Sequence, residues 1–229
     1  MKMDIQAMEA RIKELENKVR ILDDLEAIKR LQRSYGYYIE HWMYEDIIDC
    51  FSDSADTELN ILVGRYLGKE GVRRYFEGEK RRSGNPEVLH QVMQLSGVVD
   101  ISPDGKSAEG RWFGLGCVSI PNDKGVMQNI SGGIYNATYI KEDGKWKILK
   151  LVWNPTYMFD PRQGWVKPER AVVATFNSLA APPRPDKPRQ LDTRYPSGYI
   201  APFHYKHPVT GKQTTERRHN ASLNLKEIE

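Results

Sequence analysis

The stretch from Val88 to Phe159, VLHQVMQLSGVVDISPDGKSAEGRWFGLGCVSIPNDKGVMQNISGGIYNATYIKEDGKWKILKLVWNPTYMF, decides the fold. Four β-type segments, at about 88–101, 106–120, 126–141 and 146–159, are separated by Pro103-Asp104-Gly105, Pro121-Asn122-Asp123-Lys124-Gly125 and Glu142-Asp143-Gly144-Lys145. Pro, Asn, Asp and Gly supply the backbone angles of tight turns, so consecutive strands joined by such turns predict an antiparallel meander.

Upstream of the meander the period changes. Thr57 to Val63 reads as a strand, and Gly68 precedes the helical run KEGVRRYFEGEKRR, with Val72, Tyr75 and Phe76 on its buried side. Further upstream, Leu25, Ile28, Leu31, Tyr35 and Ile39 form the apolar stripe of a helix that Asp23 and Asp24 are placed to cap, and a short helix follows at about Tyr44 to Phe51. Helices first and a sheet afterwards predict an α+β domain, a curved antiparallel sheet with helices on its concave face enclosing a cone-shaped pocket.

Two flanks surround this core. Ile5, Met8, Ile12, Leu15, Val19 and Leu22 are spaced 3-4-3-4-3 among Lys, Arg and Glu. That spacing is the seam of a short coiled coil or the inner stripe of a solvated helix. At the other end, ten of the thirteen prolines lie at or beyond Pro155. Residues 171–179 have room for a helical turn or two, and 217–229 are expected to fray. Prolines favour extended backbone, yet Tyr195, Tyr199, Ile200, Phe203 and Tyr205 are too apolar for a simple disordered tail. The expected organisation is an N-terminal helical arm over 1–22, an α+β cone over 23–160 and an extended C-terminal strap over 161–229.

Composition excludes several classes. Lys plus Arg is 34 against 31 for Asp plus Glu, short of the clustered basicity of a nucleic-acid binder. Mean hydropathy is −0.63, and no apolar run approaches the roughly 18 residues that span a bilayer. The charged beginning MKMDIQAMEARIKELE lacks the apolar core of a signal peptide, so a cytoplasmic location is expected. Cys50 and Cys117 alone provide neither a disulfide framework nor a Cys-built zinc site, and His204 and His207 have no acidic cluster beside them. No metal and no cofactor is expected.

The remaining chemistry is side-chain acid and base. His90 is the one histidine of the meander, either a structural strand histidine or a catalytic base. Helix residues Tyr35, Tyr38 and Glu40 are its candidate partners, because a carboxylate that accepts from one imidazole nitrogen raises the basicity of the other. Trp112, Tyr135, Trp153 and Asn154 are candidate walls for a substrate.

The runs LDDLEAIKRLQRSYGYYIEHWMYEDIIDCFSDSADTEL, YLGKEGVRRYF, LHQVMQLSGVVDISPDGKSAEGRW and YIKEDGKWKI resemble, in order and spacing, the SnoaL-like family of the nuclear-transport-factor-2-like superfamily. The resemblance covers roughly Asp23 to Phe159. It implies an α+β cone and, by similarity to scytalone dehydratase and bile-acid 7α-dehydratase, a cofactor-free lyase with a helix-borne acid paired to a strand-borne histidine. Those roles fall on Glu40, in place of the usual Asp, and His90, with the helix tyrosine on Tyr35 and a substrate-facing strand position on Tyr135. The implied activity is dehydration or formaldehyde-releasing C–C cleavage of a hydroxylated aromatic or polycyclic small molecule. A binding or assembly module, an isomerase or a cyclase of the same fold are the alternatives. The resemblance also implies a homo-oligomer, trimer or dimer.

Overall fold

The computed structural model describes residues 5–122, 125–162, 184–188, 190–192, 204–205 and 225–227. Helix α1 runs unbroken over Ile5–Glu40, about 54 Å at 1.5 Å per residue. Its arm is built of good helix formers and tied by local pairs, Arg11 and Lys18 both reaching Glu14 at 2.6 and 2.5 Å. The expected helix start at Asp23 and Asp24 is therefore absent. Asp24 is instead a buried mid-helix residue, accepting hydrogen bonds from Lys141 Nζ at 2.6 Å and Trp146 Nε1 at 2.8 Å. These tertiary partners replace the capping role that Asp takes when its carboxylate has only the local backbone to bind.

Trp42 ends the first layer. Its φ of +49° is left-handed backbone, which turns the chain sharply after α1 and sends it into α2, Tyr44–Asp49. Next comes a hairpin, β1 Glu58–Ile61 and β2 Gly64–Leu67, where a single strand was expected over 57–63. Helix α3, Gly68–Gly78, buries Val72 and Phe76 and partly buries Tyr75, and a 3-10 turn, Lys80–Arg82, follows it.

The meander is present close to its expected bounds: β3 Leu89–Ile101, β4 Ser107–Asn122, β5 Gly125–Glu142 and β6 Lys145–Phe159. The six strands form one sheet in the order β2-β1-β6-β5-β4-β3, antiparallel except where β1 runs parallel to β6. The curved, unclosed sheet with α1 on its concave face is the expected α+β cone. Bulges between Leu95 and Val98 in β3, and at Thr156 and Leu149 of β6 opposite Gly132/Gly133 and Thr138/Tyr139 of β5, shift the pairing register along the strands.

The concave face of β4 sets Gly110, Gly114 and Gly116 around Trp112. A Cβ on Gly114 would lie 2.3 Å from Trp153 Cζ3 and 2.8 Å from Tyr135 Cε2, so the neighbouring strands' rings lie down over β4 there. Tyr135 and Trp153 stack at 4.4 Å between centroids, and Trp42, Tyr35, Tyr66, Tyr139, Phe51 and Phe76 complete an aromatic core.

Part of the C-terminal strap is described. Lys187 bridges Arg65 of β2, and Asp186 accepts from the Leu67 amide and from Arg74, so this piece lies on its own domain. His204 Nε2 stands 3.3 Å from Asp100 Oδ2. Leu225–Glu227 (β8), expected to fray, pairs with Gln190–Asp192 (β7). The helical turn expected within 171–179 and Tyr195, Tyr199, Ile200 and Phe203 lie outside the described residues. No helix among the described residues is long and apolar enough to cross a membrane.

Candidate active site

Between α1, α3 and the concave sheet lies a largely apolar cavity of about 130 Å³. Tyr35 and Ile39 reach it from α1, Tyr75 and Phe76 from α3, His90 and Val92 from β3, and Tyr135 and Trp153 from β5 and β6.

His90 enters because it shares a strand face with Val92. Its ring packs edge-on against Trp42 at 5.2 Å between centroids, and Trp42 also carries Arg82, whose guanidinium lies over the indole at 4.5 Å. Trp42 is itself fixed by donating its Nε1 hydrogen to the Phe76 carbonyl at 3.1 Å. Arg82 is held by Glu79, Nε to Oε2 at 2.8 Å, with both side chains buried and both lining the cavity. The 3-10 turn after α3 sets this pair, because it places residues three apart on one side.

Electrostatics follow from that placement. Burial, with the Arg82 charge acting in the same direction, pushes the His90 imidazole down to about 3, so the ring is neutral at physiological pH. Burial holds the phenols of Tyr35, Tyr75 and Tyr135 above their ordinary range, so all three remain protonated donors.

Two buried polar atoms on this wall have no hydrogen-bond partner, His90 Nδ1 and Asn129 Oδ1. A buried orphaned polar atom costs on the order of 1–3 kcal/mol, so an apolar cavity carrying two of them is suited to a guest that brings hydrogen-bonding groups.

Of the residues singled out in the sequence, Tyr35, His90, Tyr135 and Trp153 line the cavity. Glu40, Tyr38, Trp112 and Asn154 do not, and each has a physical reason. Glu40 follows Tyr35 by five residues, about 140° round the helix, so it leaves the cavity as Tyr35 enters it. Its carboxylate accepts from Gln91 Nε2 at 3.3 Å, on the residue next to His90 and on the other face of β3, and the expected Glu40–His90 pair is not formed. Tyr38 packs partly buried against the core. Trp112 donates to the Tyr139 hydroxyl at 2.9 Å, which donates to Gln32 Oε1 at 2.6 Å, a chain that ties the sheet to α1 outside the cavity. Asn154 follows Trp153 on β6, so it points to the opposite face, in register with Ile134.

Four polar lining residues were not anticipated: Glu79, Arg82, Asn129 and Ser131. The last two carried a readable signal. Met127, Asn129 and Ser131 alternate along β5, so once one of them faces in, all three do. Glu79 and Arg82 sit in a charged run, EGEKRR, that reads as solvated surface until the turn buries two of its members.

Among the described residues, no group of three or more His, Cys, Asp or Glu side chains is placed to hold a metal ion. Both cysteines are free, and burial raises the Cys50 thiol to about 12.

Comparison with known proteins places this geometry in a family. The model of the SnoaL-like domain matches residues 20–152, and the chain belongs to that family. A candidate scytalone dehydratase from Novosphingobium aromaticivorans shares the fold: 17% identity, 74% of this chain and 97% of that one, TM-score 0.54. An NTF2-like protein with a cystatin-like fold from the same organism matches at 16% identity over 66% and 88% of the two chains, TM-score 0.47. A hexachlorocyclohexane dehydrochlorinase matches at 18% identity over 62% and 90%, TM-score 0.48.

Proposed function

We propose that the protein is a cofactor-independent lyase acting on a small hydroxylated aromatic compound, with His90 as the base. One observation carries this reading: a histidine with a nitrogen unpartnered among the described residues on the wall of an apolar cavity, beside an unpartnered Asn129 oxygen. A substrate hydroxyl can donate to the Asn129 oxygen while its ring lies against Tyr135 and Trp153. The scytalone dehydratase named for the similar fold above supports elimination chemistry as the reaction type.

In the proposed step His90 removes a proton from a carbon made acidic by conjugation. The C–H electrons form the new double bond, a C–O bond breaks, and the departing hydroxyl takes a proton from a tyrosine hydroxyl and leaves as water. The proton on His90 then returns to the tyrosine, which restores both groups. Formaldehyde loss needs the same two groups: His90 takes the proton from a hydroxymethyl oxygen, the C–C bond breaks to release formaldehyde, the carbanion left behind takes a proton from a tyrosine hydroxyl, and the proton on His90 restores the tyrosine. Tyr35, Tyr75 and Tyr135 all line the cavity as protonated donors, and Arg82 supplies a fixed positive charge near the developing anion. Positioned groups of this kind contribute roughly 10² to 10⁴ in rate.

The free volume bears on substrate size. A cavity of ~150 Å³ accepts benzene, so about 130 Å³ suits one ring rather than a polycyclic skeleton. A second reading, a binding module without chemistry, is favoured by one feature: no carboxylate among the described residues hydrogen-bonds to His90 Nδ1.

Screening one-ring hydroxylated aromatics against their polycyclic counterparts, with mass-spectrometric detection of products and parallel binding titrations, tests both readings. The lyase reading expects turnover of one-ring compounds, abolished by filling the cavity with Ser131→Trp. Saturable binding of those compounds with no product would support the binding module instead, and binding untouched by Ser131→Trp would remove the cavity from the account.

A further inference from the structure

The first eighteen described residues of α1 form an arm whose apolar stripe is uncovered among the described residues. Ile5, Met8, Ile12, Leu15, Val19 and Leu22 are between 36% and 67% exposed on an otherwise regular helix. Six exposed apolar residues in one continuous stripe are a face built to be covered. The side of α1 that packs on the sheet carries Asp24, Ile28, Gln32, Tyr35 and Ile39. At 100° per residue the exposed stripe is centred about 170–190° from that side, so it faces away from its own domain.

We propose that this stripe pairs with the same stripe of a second copy of the chain, in parallel and in register, as a two-stranded coiled coil. Three features of the residues select this occupant. In a heptad register, Ile5, Ile12 and Val19 occupy the a positions, while Met8, Leu15 and Leu22 occupy d. β-Branched residues at a with unbranched-Cβ residues at d favour two parallel strands over three or four.

Charge then fixes the direction. The e positions are Glu9, Glu16 and Asp23, and the described g positions within the seam are Arg11 and Lys18, so one flank is acidic and the other basic. In a parallel pair each g position meets the e position five residues on, which sets Arg11 against Glu16 of the partner subunit and Lys18 against Asp23 of the partner subunit. In an antiparallel pair g meets g and e meets e, placing like charges together along both flanks. The present partners of Arg11 and Lys18 are exposed helix neighbours, salt bridges to Glu14 that can exchange at little cost.

The seam also stops where it should. The next a and d positions are Glu26 and Lys29, and Asp24, between Leu22 and Glu26, is the residue at which α1 first docks on the sheet through Lys141 and Trp146. The coil therefore ends where each helix enters its own domain. A parallel pair sets the two cavities side by side at the same end of the coil.

The experiment is disulfide trapping in the full-length chain, with Cys117→Ser present throughout so that a new bond reports the arm. Leu15→Cys lies in the seam, and Ala10→Cys lies on the outer face of the same helix. A mild oxidant is expected to link Leu15→Cys at least tenfold faster than Ala10→Cys. Adding Arg11→Glu with Lys18→Glu should slow that linkage at least fivefold. Mixing this protein with one carrying Leu15→Cys, Glu16→Lys and Asp23→Lys should restore it as a mixed disulfide. Apart from the shared Cys117→Ser, all these changes lie on exposed arm positions, and circular dichroism confirms the helix in each variant. Equal rates for Leu15→Cys and Ala10→Cys would overturn the proposal. A mixture of Ile12→Cys with Leu15→Cys that links faster than Leu15→Cys alone would overturn the parallel orientation.

Discussion

Replacing Gly114 by Ala probes the layer on which the cavity rests. The new Cβ would lie 2.3 and 2.7 Å from Trp153 Cζ3 and Cη2 and 2.8 Å from Tyr135 Cε2. Carbon atoms pack at about 3.5–4.0 Å, so both rings must retreat by roughly an ångström. They are buried against one another at 4.4 Å between centroids, and the open space beside them is the cavity itself. Overpacking of this kind costs about 1–3 kcal/mol, while removing a glycine from a strand returns up to about 1 kcal/mol of unfolded-state entropy. The net expectation is a loss of about 1–2 kcal/mol, which for a protein of this size lowers Tm by roughly 2 to 8 °C. Urea denaturation should show a lower midpoint with an unchanged slope, and affinity for any cavity ligand should fall because the rings now occupy its space. A Gly114→Ala protein as stable as the wild type, with ligand affinity intact, would refute the packing described for this face.

Three further outcomes follow from other parts of the structure. Tyr139→Phe leaves the Trp112 indole N–H and the Gln32 carbonyl unpartnered in the core, and should cost about 2–4 kcal/mol in urea unfolding, with the Trp112 indole proton shifted in the NMR spectrum. Asp24→Asn should cost about 2 kcal/mol, because it strands the partly buried Lys141 ammonium. Burial pushes the Asp24 carboxyl up, but hydrogen bonds from Lys141 and Trp146 and the Lys141 charge outweigh it, so its pKa is lowered in the fold. The stability it contributes is therefore full above the unfolded carboxylate pKa of about 4 and lost as pH falls below it, a loss that the Asn variant should lack. His90 is lowered too, to about 3, and the sign is the same: the unfolded chain binds its proton first, so stability declines as pH falls from about 6.5 towards 3. Guanidinium unfolding across that window should show a decline of up to about 1.4 kcal/mol per pH unit that is absent in His90→Gln.

Local signals and long-range placement divide what was readable in the sequence. The meander was legible because each turn announces itself with Pro, Asp, Asn or Gly, and the strand bounds agree to within a few residues. Asp23 and Asp24 misled because a capping signal is local, whereas the partners that absorb Asp24 lie over a hundred residues away on β5 and β6. His90, Tyr35, Tyr135 and Trp153 were found from type and spacing, since an imidazole or a ring facing a concave sheet has few places to go. Glu40 was assigned as a helix-borne carboxylate partner for His90 and from the family pattern, and helix geometry places it outside the cavity. Asn154 could not be assigned a face from sequence, since bulges in β3 and in its own strand β6 reset strand parity without a local mark. Glu79 and Arg82 stayed hidden because a charged run is usually solvated, and only the turn after α3 brings the two together in the interior.

The central claim is that His90 performs proton transfer inside this cavity. The most direct test is kcat/KM of His90→Gln beside the wild type on the best one-ring substrate, with ligand affinity measured in parallel. A fall of 10² to 10⁴ in kcat/KM, with affinity changed by less than about threefold, is the result expected. Turnover within about threefold of the wild type would contradict the assignment.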